Sequence, residues 1–261
     1  MPNGGSDCCG TCWFNGANDG KQGYREGPRP EEIRCTIRGF GIENQFWTYC
    51  ANHPHHNPGR IEVPIGPIYV TDDYPNTRRV CKKSPDTEEI RSGLLDLIVH
   101  IEEVPRVEYP TPTQLDEEII KQLMEFREKR AVPALRKIFK FNPLSIPSDA
   151  NPFGRNRVIT VALAIEALTT IEGDCALDEV EIALRSGLSN DEPPRVDVSK
   201  QANQEDSPKD PLAPIRYHAV LGMKYCNSER AKELLCKATN DPHPKISAFA
   251  CEILNKKQMD T

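Results

Sequence analysis

The hydrophobic pattern changes character near residue 84. Before it, apolar residues come in short runs: Ile33-Arg34-Cys35-Thr36-Ile37, Phe46-Trp47-Thr48-Tyr49-Cys50, and Val63-Pro64-Ile65-Gly66-Pro67-Ile68-Tyr69-Val70. Gly, Pro and Asn separate these runs, which predicts short strands in an irregular fold. Beyond residue 84 the period becomes 3.6, and each run has helix start and stop signals. Ser84-Pro85-Asp86-Thr87-Glu88-Glu89 opens a helix with a capping side chain and acids in its first turn, and Val104-Pro105 closes it. Further helices are predicted at about 114–128, 131–139, 155–172, 176–185, 214–225, 229–238 and 244–256. Pro133 suits a first turn, where its missing N–H does no harm.

These helices pair as hairpins: 114–128 with 131–139, 155–172 with 176–185, and 214–225 with 229–238, with a closing helix after them. The pattern also repeats. Ile215-Arg216-x2-Ala219-x3-Met223 and Ile246-Ser247-x2-Ala250-x3-Leu254 place the same kinds of residue at the same offsets, and Thr160-Val161-x2-Ala164-x3-Leu168 is a weaker third copy. A small residue at a fixed offset lets neighbouring helices approach closely, the signature of stacked repeats. The expectation is a mainly α protein: an α-solenoid of hairpins over 84–261, preceded by a small irregular module over 1–83. Residues 186–213, polar with prolines at the ends, read as an insertion, and 142–151 as a shorter loop of the same kind.

Cysteine usage gives the module its chemistry. Cys8-Cys9-Gly10-Thr11-Cys12 is followed by Cys35 and by Cys50-Ala51-Asn52-His53. Cys9-x2-Cys12 and Cys50-x2-His53 each have the two-residue gap that puts two ligands on one ion from a single turn. Thiolate and imidazole are the donors of closed tetrahedral Zn²⁺ sites, so zinc is expected on four of Cys9, Cys12, Cys35, Cys50 and His53, with Cys8 as a further thiol. Metal would supply folding free energy, on the order of 10 kcal/mol, to a module short of apolar residues. Trp13, Phe14, Phe46 and Trp47 are the expected shell. His55 and His56 read as surface residues in an exposed turn marked by Pro54 and Pro58, and His100 as a partly buried helix residue. Cys81, Cys175, Cys226, Cys236 and Cys251 lack ligand spacing and read as small core residues.

Residues 1–20 contain neither a basic n-region nor an apolar h-region, so a reducing, cytoplasmic setting is the expectation and disulfides are not. No run is apolar enough for a membrane span. A net charge of −6 argues against a nucleic-acid-binding surface over the whole chain. The basic cluster Arg78-Arg79 with Lys82-Lys83 reads as a solvated turn.

Residues 114–256 resemble a HEAT-repeat array, as in Arg130-Ala131-Val132-Pro133-Ala134-Leu135-Arg136-Lys137-Ile138 and Asn240-Asp241-Pro242-His243-Pro244-Lys245-Ile246. The stretch Cys8-Cys9-Gly10-Thr11-Cys12-Trp13-Phe14-Asn15, with Thr48-Tyr49-Cys50-Ala51-Asn52-His53-Pro54, resembles a group of bacterial HEAT-repeat proteins to which no activity is attached. What the resemblance implies is a scaffold with a concave face that binds another protein. Phosphate-binding loops, zinc-protease helices and nucleophile elbows are absent from the sequence. The leading expectation is therefore a non-enzymatic scaffold with structural zinc. The alternatives are a cofactor- or chromophore-handling factor that uses the metal or a thiolate, and nucleic-acid binding through the zinc module.

Overall fold

The computed structural model describes residues 8–23, 27–55, 60–73, 77–103, 113–140, 154–188 and 210–259. The inner part of the expected insertion, the loop at 142–151, the connector at 109–112, His56 and the side chain of His100 lie outside them. The protein is mainly α, with a few short antiparallel strands. Among the described residues no helix is long and apolar enough to cross a membrane.

The chain divides into two compact units, Met1–Glu128 and Lys129–Thr261. The first holds strands β1 (Arg34–Cys35), β2 (Phe40–Gly41), β3 (Thr48–Tyr49), β4 (Ile68–Asp73) and β5 (Thr77–Lys82), then helices α1 (Glu88–Glu103) and α2 (Thr113–Glu125). β1 pairs with β2, while β3, β4 and β5 form an antiparallel sheet in that order. The apolar run from Val63 becomes strand only at Ile68. Pro64 and Pro67 have no N–H to give a ladder, and Gly66 sits at φ +63°. A Cβ on Gly66 would also stand 2.7 Å from Glu118 Oε2 of α2. The basic cluster expected as a turn is strand β5.

The boundary falls at 128 rather than 83 because polar side chains tie α1 and α2 to the loop before β4. Gln122 of α2 accepts from Gly66 N at 2.7 Å and donates to Pro64 O at 3.3 Å. Ser84, just before α1, donates to Gly66 O at 2.7 Å. Helix α2 packs on α1, and Arg91 of α1 binds Glu128 at 3.0 Å and Phe126 O at 2.9 Å.

The second unit holds α3 (Val132–Lys140), α4 (Gly154–Glu172), α5 (Leu177–Leu184), α6 (Ala213–Gly222), α7 (Glu229–Ala238) and α8 (Pro244–Met259). Helix α4 is buried on almost every side and packs on α3, α5 and α6; α6 packs on α5 and α8, and α7 on α5 and α8. The three repeat copies in the sequence are α4, α6 and α8, which neighbour one another in that order. Their small residues, Ala164, Ala219 and Ala250, are fully buried where the helices meet. Among helices consecutive in the chain, α3 with α4, α5 with α6 and α7 with α8 pack most closely, one helix out of step with the hairpins expected from connector lengths, while α4 and α6 meet more extensively than any of these.

One slot of the repeat departs from the pattern. Where α4 has Val161 and α8 has Ser247, α6 has Arg216, whose side chain is fully buried. It binds Asp241 in the α7–α8 turn at 2.7 and 3.2 Å, Ser186 O after α5 at 2.8 Å, and Asp210 before α6. Removing a buried charge strands its partners, so Arg216→Met is expected to destabilise the second unit by about 3–5 kcal/mol. Urea denaturation followed by far-ultraviolet circular dichroism measures this. Both tryptophans of the chain, Trp13 and Trp47, lie in the first unit, so their fluorescence should unfold at the wild-type midpoint.

Candidate metal centre

The thiols are brought together by turns rather than by a conventional core. Cys9 to Thr11 form a 3-10 turn that ends at Cys12, and a second such turn, Gly16–Asn18, follows it. Two buried asparagines hold this stretch. Asn15 donates to Cys9 O at 3.1 Å and accepts from Ala17 N, while Asn18 donates to Gly10 O at 3.0 Å and Cys12 O at 2.9 Å. Asn15 also bridges Cys35 in antiparallel fashion, and Thr36 N donates to Phe14 O at 2.8 Å, which lays the first loop against β1. Gly16 permits that approach, since a Cβ there would stand 2.9 Å from Glu32 O. Cys50 arrives at the end of β3.

Cys8, Cys9, Cys12, Cys35 and Cys50 are all buried, and no disulfide joins any of the ten cysteines. Burial pushes the thiols of Cys9, Cys12 and Cys35 above the ordinary range. A charge on Cys50 is the next cause in each case, so Cys50 neighbours all three. Cys8 also raises the Cys9 thiol, less than Cys50, Cys12 and Cys35 do. Opposing these effects, backbone N–H groups of Phe14 and Asn15 donate to the Cys12 sulfur, and those of Ile37 and Arg38 to the Cys35 sulfur. Both sulfurs thus accept from residues two and three positions onward, a pattern that favours thiolate. The Arg38 charge adds to it at Cys35.

His53 is buried beside the same loop but is engaged at both ring nitrogens. Nδ1 accepts from His55 N at 3.2 Å, so Nε2 carries the proton and donates to Thr11 Oγ1 at 2.9 Å. Thr11 Oγ1 in turn donates to Cys8 O at 3.1 Å. In this tautomer the Nδ1 lone pair faces the His55 amide. The expected exposed turn is buried through Pro54, and exposure begins at His55, which stacks on His53. Phe14 and Ile42 pack among the thiols, with Trp13, Ile33, Ile37 and Phe40 against them. Of the aromatic residues expected as the shell, Trp13 and Phe14 belong to this cluster; Phe46 lies against Gly10.

Among the described residues, no three His, Cys, Asp or Glu side chains are already arranged as a group that could hold a metal ion. The sulfurs are neighbours by burial and charge, and a cation would have to draw them closer. Of the cysteines expected as core residues, only Cys226 is buried, its thiol pushed up to about 12 by burial and by Asp174. Cys81, Cys175, Cys236 and Cys251 are exposed, on the edge strand, in a turn or on outer helix faces.

The positioning residues Asn15, Asn18, Arg38 and Asn52 escaped sequence reasoning. The signal for Asn15 and Asn52 was an asparagine within three residues of a cysteine, at a turn position where its amide bonds the backbone; Asn18 and Arg38 carried no such signal. No protein-family model, curated protein or solved structure matches this chain.

Asn18→Leu should strip two buried carbonyls of their donors and cost about 1–3 kcal/mol. Tryptophan fluorescence in a urea titration reads this loss in the first unit, and an unchanged midpoint would show that the amide does not hold the loop.

Proposed function

We propose that the chain is a non-enzymatic scaffold in which a structural zinc ion, held by Cys9, Cys12, Cys35 and Cys50, fixes the first unit, and the helical unit binds another protein. The observation that carries the metal assignment is Cys50 beside the other three thiols, all four buried and none in a disulfide. Four buried protonated thiols gain little from one another, whereas a divalent cation turns each sulfur into a ligand and releases its proton. The N–H donors already aimed at Cys12 and Cys35 suit the thiolate form. His53 serves as a strut between the Cys50 turn and Thr11, outside the ligand set. The site is of the closed, structural kind, since four thiolates leave no open position for water. The scaffold part rests on the α4, α6, α8 row with its repeated aliphatic, small and long apolar positions, which supports reading these helices as stacked HEAT-like repeats.

Elemental analysis of untagged protein should find one zinc per chain. A thiol reagent applied to the native protein should reach the exposed cysteines first, and a chelator should then release four more thiols together. Cys35→Ser should lose the metal and His53→Gln should keep it. Three released thiols, with metal lost in His53→Gln, would move the histidine into the ligand set; absence of any metal would overturn the assignment. Removing the metal should shift tryptophan fluorescence while helices within Lys129–Thr261 keep their protection in hydrogen exchange, because the ion ties only elements of the first unit.

A further inference from the structure

The basic run expected as a turn is the outer strand of the three-stranded sheet. One edge of β5 pairs with β4; among the described residues no strand pairs with the other. Arg79, Val80, Cys81, Lys82 and Lys83 are exposed one after another, Val80 by 51%, so this end of the strand is covered by no core. An open edge offers N–H and C=O groups at strand spacing, which a second extended chain can pair.

Charge selects which chain that is. Thr77-Arg78-Arg79-Val80-Cys81-Lys82-Lys83 has four basic residues and no acidic one, in a chain of net charge −6. A second copy of the same edge would set like charges opposite one another, which destabilises a strand pair. The strand is thus protected against itself and open to an acidic partner. Lys82 is held over the Phe40 ring at 4.8 Å, and Lys83 already binds a carboxylate, that of Glu125. Register limits the length: Ile68 opposite Lys82 and Tyr69 opposite Val80 leave Cys81 as a bulge, and a second shift lies between Thr71 opposite Arg78 and Asp73 opposite Thr77, so the regular edge runs over Arg78–Val80.

We propose that β5 is the docking edge for a short, extended, acidic segment of a partner protein, added as a fourth strand beside Arg78–Val80 with its carboxylates against the exposed side chains of Arg79 and Lys82. A nucleic acid meets the same charges but has no amide ladder to offer the edge. The inference is independent of the metal centre and of the helical unit.

The test uses the full chain and a fluorescein-labelled peptide of eight alternating glutamate and valine residues, read by fluorescence anisotropy. Saturable binding is expected, weakening as salt rises. Methylating alternate amide nitrogens of the peptide, and separately the double variant Arg79→Glu, Lys82→Glu, should each weaken it by about tenfold or more. Circular dichroism and tryptophan emission confirm that the variant is folded; if it is not, the methylated peptides against wild-type protein carry the test. Equal binding of peptides methylated in either alternation would reduce the effect to charge alone and overturn the added strand. Tighter binding of a single-stranded oligonucleotide of equal charge would overturn the choice of partner, and absence of saturable peptide binding at low salt would overturn the edge as a docking site.

Discussion

Arg38 joins the thiol cluster to the helices of the first unit. Its backbone N–H donates to the Cys35 sulfur, and its guanidinium donates to Ile65 O at 2.7 Å, Gly66 O at 2.9 Å, Asn52 Oδ1 at 3.0 Å and Ser84 Oγ at 3.2 Å. Asn52 completes the enclosure of the same loop, donating to Val63 O at 2.7 Å and accepting from Ile65 N at 2.9 Å. A loop that cannot form strand, because two prolines and a left-handed glycine interrupt it, thereby has its buried backbone groups satisfied by side chains. Such bonds are strong in a low-dielectric setting and costly to leave half-made. They do for residues 8–84 what apolar packing does elsewhere. They also explain why α1 and α2, helical by pattern, belong with the cysteine-rich part.

The helical unit is built on the opposite principle. Its interior is apolar and close-packed, and helix α4 is surrounded because small residues on α4, α6 and α8 allow close approach. Arg216 stands out against that background. Replacing a buried ion cluster by well-packed apolar groups is often neutral or stabilising, so the cluster is weak evidence of added stability. A guanidinium that must meet Asp210, Asp241 and Ser186 O fixes which connectors converge on α6, a matter that apolar packing leaves loosely specified. The pair formed by His218 Nδ1 and the buried Glu166 Oε2, 2.6 Å apart, sets the register between α6 and α4 in the same way.

Much of this architecture was legible in the chain. Every helix predicted from the 3.6 period is present within about two residues at its start, because capping residues and prolines act locally. The strands were read less well. β5 was missed, since a run of arginine and lysine has no apolar alternation and becomes strand only because β4 lies beside it. The surface cysteines were misjudged for a related reason: composition does not say which side of a helix faces inward when a face carries a single thiol.

By itself the sequence determined the change of period near residue 84, the positions of the helices, the repeat shared by α4, α6 and α8, and the set of sulfur and nitrogen donors from which a metal site would be drawn. These depend on residues a few positions apart. The tertiary structure alone decided that Cys35 stands beside Cys9, Cys12 and Cys50 while His53 turns its ring to Thr11 and the His55 amide. It alone decided that α1 and α2 join the first unit, and that a basic run forms a sheet edge. Each of those outcomes is set by hydrogen bonds and burial between segments tens of residues apart, whose separation in space no local pattern encodes.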